Sequence, residues 1–216
     1  MQRRDFSRSL LAAGATALTA TAGLTSLNAQ AQAAGLKEGT DFIRLGKPAA
    51  VEAPAGQIEV VEFFAYSCIH CYNFEPLLAE WIKKKPANVV VRRTPVAFSE
   101  AFGPMQRLYY ALEAMGQVEA LHEKVFRAFH VDKVRLQDPA VIVDWMGKQG
   151  VDTKKFNELF ASFSVAGKAK KATQLQDAYQ VEGTPALGVA GRFYIPGQGP
   201  RTLQIAEALI AQVRKG

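Results

Sequence analysis

The sequence predicts an α/β protein in which a run of helices is inserted between two strand-bearing ends. Three observations carry that expectation. An apolar run, an amphipathic stretch and a second apolar run open the ordered part, from Gln57 to Val96. From about Phe102 to Tyr179 the apolar residues recur at helical spacing throughout. Two short strand-like runs and a last amphipathic stretch, Gly183–Arg214, close it. The order is therefore strand–helix–strand, then helices only, then strand–strand–helix.

Before the first strand lies a segment set apart by composition. Arg3, Arg4 and Arg8 make a positive start, and the 18 residues Leu10–Leu27 carry no charge. "NAQAQAA" (Asn28–Ala34) offers small-residue cleavage sites after Ala31 or Ala33. Residues 1–33 read as a cleaved export signal. A membrane anchor is the competing reading, since 18 uncharged residues approach the minimum span. Thr, Gly and Ala dominate the stretch, however, and leave it weakly hydrophobic. "RRDFSR" resembles a twin-arginine signal, but ordinary secretory signals also pair arginines, so both export routes stay open. Export places the mature protein outside the cytoplasm, in a bacterial periplasm.

The mature chain justifies each element in turn. Gly35–Ala55 is rich in Gly, Pro and Ala and reads as an extended lead-in. "QIEVVEFFAY" (Gln57–Tyr66) is β-branched and aromatic, too short for a typical helix, and fits a strand buried on both faces. Phe74, Leu77, Leu78, Trp81 and Ile82 then form one helical face, which Pro86 ends. Pro76 should kink that helix, because it removes a donor and crowds the preceding turn. "NVVVRRTPV" (Asn88–Val96) is the second strand.

The helical run divides at its punctuation. Gly103–Pro104 opens a helix that Gly116 closes, and Gln117–His130 follows with Val118, Leu121, Val125 and Phe129 on one face. Asp138–Pro139 looks like an N-cap with Pro in the first turn, and Gly150 a stop. Asp152 begins a fourth helix with Phe156, Leu159, Phe160 and Phe163 inward, and Ala166–Gln180 is a fifth. "GTPALGVAGRFYI" (Gly183–Ile195) fits two strands around an Ala190–Gly191 turn, and Thr202–Arg214 a closing helix.

Charge excludes little except nucleic acid. The net charge is +6, falling to +4 once Arg3, Arg4, Asp5 and Arg8 are removed. Lys83–Lys85, the strongest basic cluster, ends a helix, where positive charge suits the dipole. No basic run is interleaved with aromatics, so no nucleic-acid partner is expected.

The two cysteines, Cys68 and Cys71, stand two residues apart where the first strand gives way to the first helix. Zinc usually needs four ligands, but there is no second cysteine pair and only His122 and His130 lie elsewhere, so no metal is expected. Covalent haem attachment requires His after the second Cys, where Tyr72 stands. A disulfide closing so small a loop adds little stability. Redox chemistry needs only two thiols and a helix start. There Cys68 faces free N–H groups and the positive end of the dipole, which favour thiolate, and His70 can add charge or a donor. Cys71, one turn in, should be buried and act as resolving partner.

"EFFAYSCIHCYNFEP", a helical run and "VEGTPALGV" together resemble the DsbA family of periplasmic thiol:disulfide oxidases, over essentially the whole mature chain. The resemblance implies a thioredoxin fold in two parts, 34–100 and 173–216, around an inserted helical domain at 101–172. It assigns Cys68 as the sulfur that exchanges with clients and Cys71 as the resolving cysteine. Pro185 matches a cis-proline facing the active site, which would expose the backbone of Thr184 to a substrate, and Pro76 the kinking proline of the family's helix. Glu62 matches a buried glutamate that assists proton transfer at the second cysteine. A lysine near it in well-known members falls here at Arg93, a permanent cation. Ile69 replaces a common proline and Thr184 a common valine, and both should tune potential and partner choice.

The implied protein is a monomeric oxidase with no cofactor beyond its own disulfide. It would serve reduced exported proteins and be reoxidised by a quinone-linked membrane protein of DsbB type. A reductase or isomerase on the same fold is the nearest rival. Dimeric isomerases carry a sizeable N-terminal region, for which only about 25 residues are free here. A periplasmic binding or chaperone module with an inert cysteine pair is the rival of a different class. His122 and His130 are expected to be surface or partly buried residues without chemistry. Phe98, Phe102, Phe156 and Phe163 are expected in the core.

Overall fold

The computed structural model describes residues 35–215, so the expected export signal lies outside the described residues. Five strands form one mixed sheet in the order β1-β5-β4-β2-β3. β2 (Ile58–Phe64) is central, and all seven of its residues are buried, as a β-branched run without alternation requires. It pairs parallel with β3 (Val89–Pro95) and antiparallel with β4 (Ala186–Val189). β5 (Phe193–Pro196) continues the sheet antiparallel to β4. The turn between them puts Ala190 at φ 54° and Gly191 at φ 67°, positive at both central positions. A Cβ on Gly191 would stand 2.5 Å from the Ala49 carbonyl oxygen, so glycine is needed there on space as well as on angle.

β1 (Ile43–Arg44) was not expected: it pairs with β5 inside the segment read as an extended lead-in. Two residues are too few to show a period, and their pairing partner is about 150 residues away.

α1 (Ile69–Lys84) crosses from β2 to β3 with Cys68 as its N-cap and Pro76 in its interior. Lys85 is extended, as the residue before Pro86 should be. Cys71, Phe74, Leu78 and Trp81 are buried. Leu77, expected on that face, is 40% exposed and lines a surface groove instead.

Five helices then run from α2 to α6: α2 (Gly103–Ala114), α3 (Val118–His130), α4 (Pro139–Lys148), α5 (Thr153–Ala161) and α6 (Phe163–Ala178). Asp138 and Asp152 cap α4 and α5 as expected, accepting from Ala140 N–H at 2.9 Å and Lys155 N–H at 3.0 Å. The periodic pattern breaks at Phe163, which is 98% exposed rather than inward. Ser162 ends α5 and caps α6, with its Oγ accepting from Val165 N–H, so the helical phase restarts at the next residue. Phe98 is also exposed, at 44%, leaning on half-buried Phe102, while Phe156 is in the core.

The closing helix α7 (Pro200–Lys215) packs with α1 on a core of Val60, Phe74, Leu78, Leu187, Ile205 and Leu209. A second core joins the sheet to the helices: Phe64, Tyr66 and Cys71 contribute to it beside Leu108, Leu112, Val125 and Phe126. Cys71 thus belongs to the core that joins sheet and helices, and Cys68 packs both on it and on a third cluster that includes Val61, Phe63 and Ala65.

Candidate active site

Cys68 stands at the junction of a buried strand and a helix start, and is about half-buried, while Cys71 is fully buried one turn later. The Cys68 sulfur accepts from the Cys71 backbone N–H at 3.4 Å, one of the helix's unpaired donors. Its pKa falls to about 5. The largest cause is the Cys71 thiol, which donates to it; the Thr184 side chain and the N–H groups of Cys71 and His70 add to this against burial. The Thr184 carbonyl oxygen lies 3.3 Å from the sulfur and favours the protonated thiol, but the donors outweigh it. Burial and then the neighbouring Cys68 push the Cys71 thiol far above its ordinary value.

One sulfur is thus a ready nucleophile and leaving group, and the other a held proton.

Thr184, Pro185, His70 and Ile69 stand beside this pair. The Thr184–Pro185 peptide is cis, and Pro185 is buried beside β4. Thr184, Pro185, His70 and Leu77 line an open groove of about 750 Å³ next to the sulfurs. His70 reaches Cys68 through its backbone N–H, and its ring is on the exposed side. Ile69 is 47% exposed, at the rim.

Glu62 is completely buried on β2, and its pKa rises to about 8. Burial is the main cause, then the charge of Glu75, with Arg93 opposing both. Arg93 Nε donates to Glu62 Oε2 at 3.1 Å, and its Nη2 donates to Glu75. The permanent cation expected from the sequence therefore bridges two carboxylates.

Glu75 and His122 were missed as site residues. His122 is a correction to the expected surface or partly buried histidine: it is 4% exposed, with Nδ1 2.8 Å from the Tyr66 hydroxyl and its ring against Phe64 and Phe126. His130 is partly buried, stacks on Tyr72 and meets the Tyr66 carbonyl at 2.9 Å. A signal for Glu75 did exist: it follows Cys71 by four residues, which puts a carboxylate on the helix face that buries Cys71 and Leu78. His122 had none, since its partners come from other elements. Glu62, Glu75 and His122 offer ligand atoms within 4.8 Å of one another, but the Arg93 guanidinium already supplies positive charge there.

Known proteins match this chain in sequence and in fold. The model of the DSBA-like thioredoxin domain matches residues 59–206. The thiol:disulfide interchange protein DsbA of Bordetella parapertussis is 39% identical over 220 residues, covering 100% of both chains. That of Pseudomonas aeruginosa is 38% identical, covering 92% of this chain and 95% of its own. Among solved structures, Pseudomonas aeruginosa DsbA superposes with a TM-score of 0.80 at 36% identity, over 84% of this chain and 96% of that one. The oxidoreductase NmDsbA1 from N. meningitidis gives 0.74 at 29% identity, over 84% and 95%.

Proposed function

Since this chain belongs to the DSBA-like thioredoxin family, we propose that Cys68 is the sulfur that meets client proteins and Cys71 the sulfur that resolves. The protein is a thiol:disulfide oxidoreductase with a thioredoxin fold carrying inserted helices, and it works through its own cysteine pair. In the donor direction a client thiolate attacks the Cys68 sulfur of the Cys68–Cys71 disulfide. Cys71 leaves, and a second client thiolate then displaces Cys68. The observation that carries this reading is the contrast between the two sulfurs, with Cys68 accessible and brought to about 5 while Cys71 is sealed in and raised. A stabilised Cys68 thiolate favours the reduced protein, which makes the disulfide a strong donor.

The wider setting belongs to the same proposal. Clients are newly exported proteins in the periplasm, bound as extended segments along the groove beside Thr184 and Pro185. Ile69 and Thr184 tune the potential, His70 supports the Cys68 thiolate, and Glu62 exchanges a proton with Cys71. The protein acts as a monomer without a bound cofactor, and a quinone-linked membrane protein of DsbB type reoxidises it. The thioredoxin domain comprises 34–100 and 173–216, and the helical domain 101–172, with α6 running on as a shared strut between them.

Equilibration of the Cys68–Cys71 pair against glutathione tests the direction of transfer. We expect a potential well above thioredoxin's level of about −270 mV. A value at that level would make the protein a reductase. Cys68→Ser should abolish disulfide transfer to a reduced peptide.

A further inference from the structure

The groove beside Thr184 and Pro185 carries one charge in an apolar lining, and any selectivity it exerts rests on the client role proposed for it. Ile43 and Leu77 stand 43% and 40% exposed in that lining, which Phe74, Pro185 and Pro196 share. Glu182 is the single Asp, Glu, Lys or Arg among the described residues that line it. It is exposed, and its carboxylate makes no ion pair and no hydrogen bond among the described residues. The whole chain carries a net charge of +6, so a negative charge here runs against the general character of the molecule.

Local structure holds that carboxylate at a set place along the groove. Glu182 comes two residues before Thr184, whose carbonyl oxygen lies 3.3 Å from the Cys68 sulfur. The Tyr194 hydroxyl on β5, whose pKa burial raises, meets the backbone of Glu182 and Gly183 and senses the Glu182 charge. The segment is therefore tied to the sheet before β4 begins at Ala186. Two residues of extended chain span about 7 Å. A client strand whose cysteine sits on Cys68 beside Thr184 thus passes Glu182 with the residue two positions from that cysteine. Residues two apart in an extended chain point to the same face, so this side chain is turned to the protein as the cysteine is.

We infer that Glu182 is a specificity-determining residue, selecting client segments that carry Lys or Arg two residues from the reactive cysteine. A basic side chain there meets the carboxylate while its alkyl stem suits the apolar lining. Asp or Glu at that position is repelled. Screening keeps the selection local, since charges more than about 8 Å away are largely screened at physiological ionic strength. An exposed pair of this kind changes rates by a few-fold rather than by orders of magnitude. The chemistry is unaltered: the client's two thiols become its disulfide, and Cys68–Cys71 takes up two electrons and two protons to become two thiols.

Reduced peptides with two cysteines test this, identical except for Lys or Glu two residues from one of them. One series places the variable residue before that cysteine and the other after it, because either chain direction brings it to Glu182. The readout is the ratio of second-order oxidation rates, Lys peptide over Glu peptide, at low ionic strength. Lys also eases ionisation of the peptide's own thiol, so the comparison between proteins decides. In one series the ratio should fall about fivefold from the unaltered protein to Glu182→Gln, and further in Glu182→Lys. Salt at 1 M, with a screening length of about 3 Å, should bring the unaltered protein close to the Glu182→Gln ratio. Glu158→Gln, the same change of charge at an exposed position on α5, should leave the ratio as it is. A ratio that both Glu182 variants leave unchanged in both series, or an equal fall in Glu158→Gln, overturns the inference. Failure of the unaltered protein to oxidise any of the peptides would instead overturn the roles given to the groove and the cysteines.

Discussion

Cys68 and Glu62 are shifted in opposite senses, and the pH dependence of stability separates them. Cys68 is lowered from 9.0 to about 5, so the folded, reduced protein binds fewer protons than the unfolded chain between those values. That contribution is complete above the unfolded value and is lost as pH falls through about 5. Glu62 is raised from 4.5 to about 8, so its contribution is complete below 4.5 and is lost as pH rises through 8. The oxidised protein has no Cys68 thiolate and should lose stability between pH 5 and 8, and Glu62→Gln should flatten that slope. Urea denaturation of oxidised and reduced protein at pH 5, 6.5 and 8 reads both signs, and an unaltered slope in the Glu62 variant would show the carboxyl is ionised throughout. At this scale the sequence displayed Cys68 and Cys71 as thiols at a helix start and Glu62 as an acid in an apolar strand, whereas Pro185 was singled out by the family resemblance. Glu75 could have been read from its place one turn after Cys71 on the buried face of α1, whereas His122 gains meaning only through contacts with other elements, which no local spacing encodes.

Single elements were legible where they begin and end on their own chemistry. Asp138 and Asp152 announced α4 and α5 because a cap is a contact between residues two or three apart. Ser162 makes the same kind of contact, with Val165, but it follows an unbroken apolar period that runs through it to Phe163. The continuous pattern concealed the break, and it put an outward phenylalanine inside. Ser162→Ala should cost about 1 kcal/mol, through the lost cap alone. Phe163→Ser should change stability by no more than about 0.5 kcal/mol, as at any surface position. Thermal denaturation of the two variants compares them, and a larger loss from Phe163→Ser would mean that ring is covered in solution. β1 could not be read at all, since a two-residue strand exists only through its pairing with β5.

Across the whole molecule, Phe64 marks the seam between sheet and helices. It is fully buried at the end of β2, and its ring touches Tyr66, Tyr109, His122 and Phe126, three of them carried by α2 and α3. Phe64→Ala should therefore cost about 3–5 kcal/mol and loosen the helices from the sheet together. Hydrogen exchange should show protection lost in α2 and α3 as well as β2, and loss confined to β2 would mean the helices stand without the seam. The general α/β order was legible because long periodic segments identify themselves, whereas the seam joins residues about 45 to 60 positions apart.

The strand order also sets a timetable. β4 lies at the middle of the sheet and β1 at its margin, and both wait on residues beyond 185, although β2, α1 and β3 are complete by Pro95. A ribosome adding ~5–20 residues per second takes on the order of ten seconds to supply the missing strands. During that interval Cys68 exists without Thr184 or Pro185 beside it, so a newborn chain carries its thiol before the segment that flanks that sulfur in the folded protein.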